Sequence, residues 1–270
     1  LALEKWGREQ SALDYLLAGD LLNQCISSSF AARGSDVPFF GLYGACSTMG
    51  ESLSLAALLL ESGAADAVGA VTSSHFCTAE RQYRTPLAYG GQRTPTAQWT
   101  ATAAGCSILA KDGRGVKVTH VTTGCIVDKG ITDANNMGAA MAPAAADTLV
   151  VHFKETGREP SYYDLVVTGD LGQLGREILL ELTKEDGVDL SGVHNDCGLL
   201  LYDRTAQDVH CGASGCGCAA SVLNGYLLRQ MEEGVLRRVL FCPTGALLSP
   251  TSSQQGESIP SIAHAVALEV

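Results

Sequence analysis

The residue best placed to do covalent chemistry is Cys46, in the run Gly44-Ala-Cys-Ser-Thr-Met-Gly50. Small residues there make a tight turn, and the apolar stretch from Ser52 to Leu60 continues as a helix. The thiol therefore stands at a helix start, where unpaired N–H groups and the helix dipole favour a thiolate or a bound anion. The same position suits an inert thiol packed as a small hydrophobe, and position alone does not separate the two. A nucleophilic cysteine needs a base. The imidazoles near matching turns are His75, which ends the strand-like run Ala67–Ser74, and His210, which precedes Cys211 and Gly212-Ala-Ser-Gly215. His120 lies in an alternating stretch and His152 in a helical one, where structural roles explain both.

A second group of residues suits anion binding. Arg81, Arg84 and Arg93 are interleaved with Tyr83, Tyr89 and Trp99, a local excess of cations and flat rings in an acidic chain. Ordinary solvated arginines on a loop are the plainer reading. Ser47, Asp170 and Ser214 add polar groups at the same small-residue turns. His210, Cys211, Cys216 and Cys218 can be written as a metal set, but cysteines two apart on a helix point to different sides, so no zinc site is expected.

These residues must be held by elements that the chain writes twice. Asp14 opens Asp-Tyr-Leu-Leu-Ala-Gly-Asp-Leu and Asp164 opens Asp-Leu-Val-Val-Thr-Gly-Asp-Leu. Each reads as a buried strand ending in a turn. Each is followed by a small-residue turn at Gly44 or Gly212, a helix of about four turns, a glycine break near Gly63 or Gly234, and another strand. Both helices are apolar on nearly all faces and so belong in the middle of the protein. The organisation predicted is two halves, 1–155 and 156–270, with a polar, Gly- and Pro-rich cover at about 75–136. The opening Leu-Ala-Leu-Glu-Lys-Trp-Gly reads as the end of a helix already under way, so a first strand and helix are expected before it.

Composition narrows the function. Of 270 residues, 46% are hydrophobic and 17% charged, enough apolar material for one large core or two half-size ones. Eighteen Lys+Arg against 29 Asp+Glu give a net charge of -11, which argues against a nucleic-acid partner and against attraction to anionic lipid. No apolar run reaches the roughly 20 residues of a membrane span. The ten cysteines sit largely in core-like runs, as expected of free thiols in a reducing compartment.

A Cys at a Gly-Ala-Cys-Ser turn opening a buried helix, in a duplicated α/β chain with Gly-Ala-Ser-Gly at the matching place, resembles the thiolase and ketosynthase superfamily. The resemblance implies a layered αβαβα fold with central buried helices, and a homodimer. It also implies an acyl thioester on Cys46 and a histidine base, but where ketosynthases write His-Gln-Ala-Asn this chain has Gly169-Asp-Leu-Gly172. His210 sits one residue out of the thiolase spacing. Within the superfamily, Gly41-Leu-Tyr-Gly-Ala-Cys-Ser-Thr48, the runs at 89–100, 135–148, 161–178 and 196–202, and Thr244-Gly-Ala-Leu-Leu-Ser-Pro250 resemble the dipicolinic-acid-binding stage V sporulation protein AD family.

That resemblance implies a non-catalytic protein without a cofactor. It binds pyridine-2,6-dicarboxylate and supports its uptake into the forming spore and its release at germination. Such a protein lies peripherally at the cytoplasmic face of the spore inner membrane or in the forespore, beside membrane proteins of the same operon. The residues expected to hold the ligand are Cys46, Ser47, His75, Arg81, Arg84, Asp170 and Ser214. The alternative is an acyl transferase or ketosynthase-like enzyme with Cys46 as nucleophile and His210 as base.

Overall fold

A computed structural model describes residues 1–83, 93–113 and 115–270. The first half runs from α1 (Ala2–Trp6) to β1 (Tyr15–Gly19), α2 (Ile26–Ala32), β2 (Phe39–Gly41), α3 (Thr48–Glu61), β3 (Ala67–Ser74) and α4 (Phe76–Tyr83). Then come β4 (Trp99–Thr100), β5 (Ala103–Ala110) and β6 (Lys117–Thr123), followed by α5 (Met137–Thr156). The second half holds β7 (Leu165–Thr168), α6 (Gly172–Glu185), β8 (His194–Asp196), α7 (Cys197–Leu201) and β9 (Ala213–Ser214). It closes with α8 (Cys216–Val222), α9 (Leu228–Glu232), β10 (Arg238–Cys242), β11 (Thr244–Ala246), α10 (Pro250–Gln254) and β12 (Ser261–Glu269). A single π-turn, Leu223–Leu227, joins α8 to α9.

β4 and β9 form a two-stranded sheet that pairs Thr100 with Ser214; of the two larger sheets, one has the order β2-β1-β3-β5, the other β11-β12-β10-β7-β8 with β6 on β12. In both, the two strands of the duplicated unit pair in parallel, β1 with β3 and β7 with β10, and an antiparallel strand follows, β5 or β12. The duplication extends to single hydrogen bonds. Asp14 accepts from the N–H groups of Asp66 and Ala67 at the start of β3, and Asp164 from those of Arg237 and Arg238 at the start of β10.

Between the sheets lie α3 and the α8–α9 helix. Their Met49, Leu53, Ala219, Leu223 and Leu227 share one core with Ala70 of the first sheet and with Val167, Phe241 and Val266 of the second. Small residues make this possible. A Cβ at Gly50 would stand 2.7 Å from Pro243, and one at Gly105 would stand 2.4 Å from the Ala220 carbonyl, so the central helices sit on backbone with no room for a side chain. On the far face of the second sheet α5 and α6 bury Met141, Leu149, Leu171 and Leu179. On the far face of the first, Leu3 and Trp6 of α1 pack on Leu13, Val37 and Ala67.

The division of the chain needs correcting. β5 is a full member of the first sheet and β6 pairs along β12 of the second, so the stretch 75–136 is not one cover, and structure belonging to the second sheet begins at Lys117 rather than near 156. Polar and Gly/Pro-rich residues at 84–98 and 124–136 flank two ordinary strands, and composition averaged over the stretch concealed them.

Candidate functional site

Cys46 stands in a 3-10 turn, Ala45–Ser47, that leads into α3. Ala45 has φ 49, a left-handed conformation that a Cβ-bearing residue adopts at a cost of about 1 kcal/mol. Local bonds hold it there. Thr48 Oγ1 accepts from the Gly44 N–H at 3.1 Å and donates to the Ala45 carbonyl at 2.7 Å, and Ser47 Oγ donates to the Gly44 carbonyl at 2.7 Å. A second loop supports the turn from behind, since a Cβ at Gly245 would lie 2.1 Å from the Gly44 carbonyl oxygen. Ser47 is thus spent on the turn.

The thiol of Cys46 lies beside the carboxylate of Asp170, the residue that follows β7, and helps to hold its charge. Asp170 is fully buried and collects donors from two other segments: the Gly215 N–H at 2.9 Å, Ser214 Oγ at 3.2 Å and Thr244 Oγ1 at 3.2 Å. Its neighbour Asp196, at the end of β8, takes the Leu171 and Gly172 N–H groups and the Thr168 hydroxyl at 2.9, 3.0 and 2.6 Å. Burial pushes the Asp170 carboxyl above its ordinary value against the pull of these donors, and pushes Asp196 up to about 6 with the Asp170 charge adding to it.

In front of Cys46 and Ser214 opens a small cleft lined by Leu21, Tyr43, Thr100, Met137 and Leu248. Its walls are apolar with a few hydroxyls, and among the described residues no imidazole lines it.

The candidates named from sequence divide. Cys46, Ser47, Asp170 and Ser214 come together at this point. His75 does not join them: it is exposed at the rim of a separate cleft with Asp20, Ser27, Ser73 and Thr102, because the chain turns outward into α4 immediately after β3. Nor does His210, whose Nδ1 is 2.6 Å from the Thr94 carbonyl and whose Nε2 is 2.8 Å from Asp208, on an outer surface beside Gln173 and Arg204. Arg81 falls on α4 by its backbone, while Arg84 and Tyr89 lie outside the described residues. Arg93 is committed elsewhere: it lies 4.1 Å over the Trp99 ring, pairs with the buried Glu80 at 3.2 Å and donates to the Gln98 carbonyl. Phe76 stacks on the same Trp99, so this cluster ties α4 to β4.

Among the described residues no set of three or more His, Cys, Asp or Glu is arranged to hold a metal. Cys216 and Cys218 are fully buried, with thiols pushed well up by burial. His152 is a core residue between Thr122 and Tyr163, lowered to about 4 by burial. Sequence reasoning missed Thr244, Gly215, Asp196 and Gln98, whose Nε2 reaches the Asp170 carbonyl. Gly215 and Thr244 had a signal in the small-residue runs around them; Asp196, 26 residues beyond Asp170, had none.

No helix among the described residues is long and apolar enough to cross a membrane. The arrangement of sheets is similar to that of solved condensing enzymes. The 3-oxoacyl-[acyl-carrier-protein] synthase III of Aquifex aeolicus superposes with a TM-score of 0.60 at 14% identity, covering 100% of this chain and 81% of that one. OleA of Xanthomonas campestris gives 0.61 at 15%, covering 100% and 78%. At such identities the likeness establishes the thiolase-like fold. In sequence, the stage V sporulation protein AD of Bacillus subtilis (strain 168) is 46% identical over 269 residues, 100% of this chain and 79% of the relative. The model of the family described as stage V sporulation protein AD (SpoVAD) matches residues 1–269, and the chain belongs to that family.

Proposed function

We propose that the chain binds dipicolinic acid, pyridine-2,6-dicarboxylate, in the cleft before Cys46 without chemical turnover, and so supports its uptake into the forming spore and its release at germination. The observation that carries this reading is that among the described residues no imidazole lines the cleft at Cys46, where an acyl-transfer enzyme needs one, and that a buried carboxylate, Asp170, lies beside the thiol. The largely apolar walls of the cleft suit the face of an aromatic ring. Titration calorimetry with dipicolinate and with isophthalate, which lacks the ring nitrogen, tests it. Selective binding of dipicolinate that Cys46→Ala or Arg84→Ala weakens about tenfold or more is expected. Equal binding of both acids, or none, defeats the reading.

The reading includes a peripheral place at the spore inner membrane, beside membrane proteins of the same operon, and a homodimer. Edge strand β2 and helix α2 present Phe40, Phe30 and Ile26, which are 51%, 60% and 42% exposed, a face suited to a second copy that continues the sheet. Phe40→Glu is expected to give a monomer in sedimentation; an unchanged dimer places the interface elsewhere.

One observation favours the alternative, an acyl transferase with Cys46 as nucleophile: the left-handed Ala45 presents Cys46 at the cleft as a nucleophile would be presented. A mass increase on Cys46 after incubation with an acyl-CoA would support it.

A further inference from the structure

The floor of the cleft is unusual for a protein that takes up a dianion. The titratable groups that face Asp170 are Cys46 from the start of α3, Cys197 from α7, Cys216 and Cys218 from α8 and Asp196 from β8, with Asp20 beyond Cys216 at the end of β1. Asp170 and Asp196 are both fully buried, and among the described residues both are satisfied by N–H and O–H donors rather than by a cation. On the β4 side, Glu80 already holds Arg93. A ligand carboxylate seated against Ser214 and Cys46 is thus added beside two carboxyl groups in a dry interior, where like charges are screened least.

The cheapest relief is a proton, and Asp170 is the group that receives it. Cys46 and Ser214 both line the cleft; Ser214 donates to Asp170 at 3.2 Å and Cys46 lies beside it, so charge placed at either is felt there first. Burial already raises the Asp170 carboxyl above the ordinary value, the direction that favours this exchange. Once protonated, its O–H can donate to the Cys46 sulfur or the Ser214 oxygen, each of which accepts as well as donates. We propose that the Cys46 cleft takes up its dicarboxylate together with one solvent proton, held on Asp170, so that binding tightens as pH falls. Only an O–H bond forms, and the ligand remains a dianion. The inference rests on the dipicolinate reading above.

Calorimetry of dipicolinate binding in two buffers of different ionisation heat counts the protons. Between about pH 7.5 and 9 the ligand carboxyls are ionised and contribute no proton, and the difference between the parent and Asp170→Asn separates the proton on Asp170 from those on free thiols and the α-amino group. Uptake rising toward one proton per ligand is expected, with affinity falling toward tenfold per pH unit. Asp170→Asn, a neutral isostere, is expected to abolish the uptake and to bind at about pH 9 at least as tightly as the parent. Should that variant not fold, Thr244→Val, which removes one donor from the ionised carboxylate, should move the midpoint of the pH profile upward. Parent binding with no uptake and no pH dependence overturns proton coupling while leaving the ligand assignment standing, as does uptake that persists in Asp170→Asn or a midpoint that Thr244→Val leaves in place. Absence of parent binding at every pH overturns both.

Discussion

The two Gly-Asp-Leu turns are identical in sequence and opposite in use. At the end of β1, Asp20 is satisfied within eight residues: one oxygen accepts the Leu22 N–H at 2.8 Å, and the other the N–H and hydroxyl of Ser28 at 2.8 and 2.7 Å. At the end of β7, Asp170 finds its donors 44 or more residues away, at Ser214, Gly215 and Thr244, and Cys46 of the other half lies beside it. The cause is the chain that follows. After Asp20 a loop with left-handed Gln24 and Cys25 brings α2 back under the aspartate. After Asp170 the chain enters α6 directly through Gly172, φ 64, and the N–H groups that could have capped Asp170 are taken by Asp196. A carboxylate deprived of local donors is free to organise a site, and one supplied with them is a turn.

That comparison can be broken by deletion. Asp170→Leu removes the acceptor, overpacks a fully buried position, and strands the Gly215 N–H and the hydroxyls of Ser214 and Thr244 in the interior. At about 1–3 kcal/mol for each unsatisfied buried group, the loss of folding stability is expected to reach about 3 kcal/mol or more, read from urea unfolding. Asp20→Ala removes the acceptor from donors that all lie within eight residues and is expected to cost about 1–2 kcal/mol, with dipicolinate affinity changed less than by Asp170→Leu. Equal losses in the two variants, or a larger one for Asp20→Ala, would mean that the turns differ in appearance only.

Much of this was legible in the chain because it is written twice. Two runs with the same order of strand, glycine, aspartate and helix force the same topology, and a helix apolar on all sides has nowhere to go but the centre. Cys46, Asp170 and Ser214 were readable as site residues because each lies at a small-residue turn. What escaped reading depends on contacts between distant segments. His75 differs from a cleft residue only in the direction the chain takes after Ser74. Arg93 looked like a ligand for an anion, and its capture by Trp99 and Glu80 requires α4 and β4 to lie side by side, which no local pattern announces. The strands inside 75–136 were masked by their surroundings, since a sheet strand flanked by polar loops averages to a loop.

The smallest expected effect sharpens the comparison by supplying a pair that should not differ. Asp14 and Asp164 occupy equivalent places and do the same work, each accepting two N–H groups at the start of the neighbouring strand. For Asp14 the N–H donors of Asp66 and Ala67 lower the carboxyl below 3.8. For Asp164 partial burial opposes, but the donors of Arg237 and Arg238 and their charges outweigh it, and its carboxyl is lowered too. A carboxyl depressed in the folded state stabilises fully above its unfolded value, and the benefit is lost as pH falls through the folded value. Asp14→Ala and Asp164→Ala should therefore each cost about 1 kcal/mol at pH 6, by analogy with a lost cap, and less at about pH 3. Asp196 runs the other way: raised to about 6, it favours the folded state most below its unfolded value and loses that benefit as pH rises toward 6. If the two alanine variants diverge, the halves differ in their scaffold as well as in their turns, and the contrast between Asp20 and Asp170 loses its control. If they agree, the duplicated frame is mechanically the same in both halves, and the difference between a turn and a site lies in the few residues that follow each aspartate.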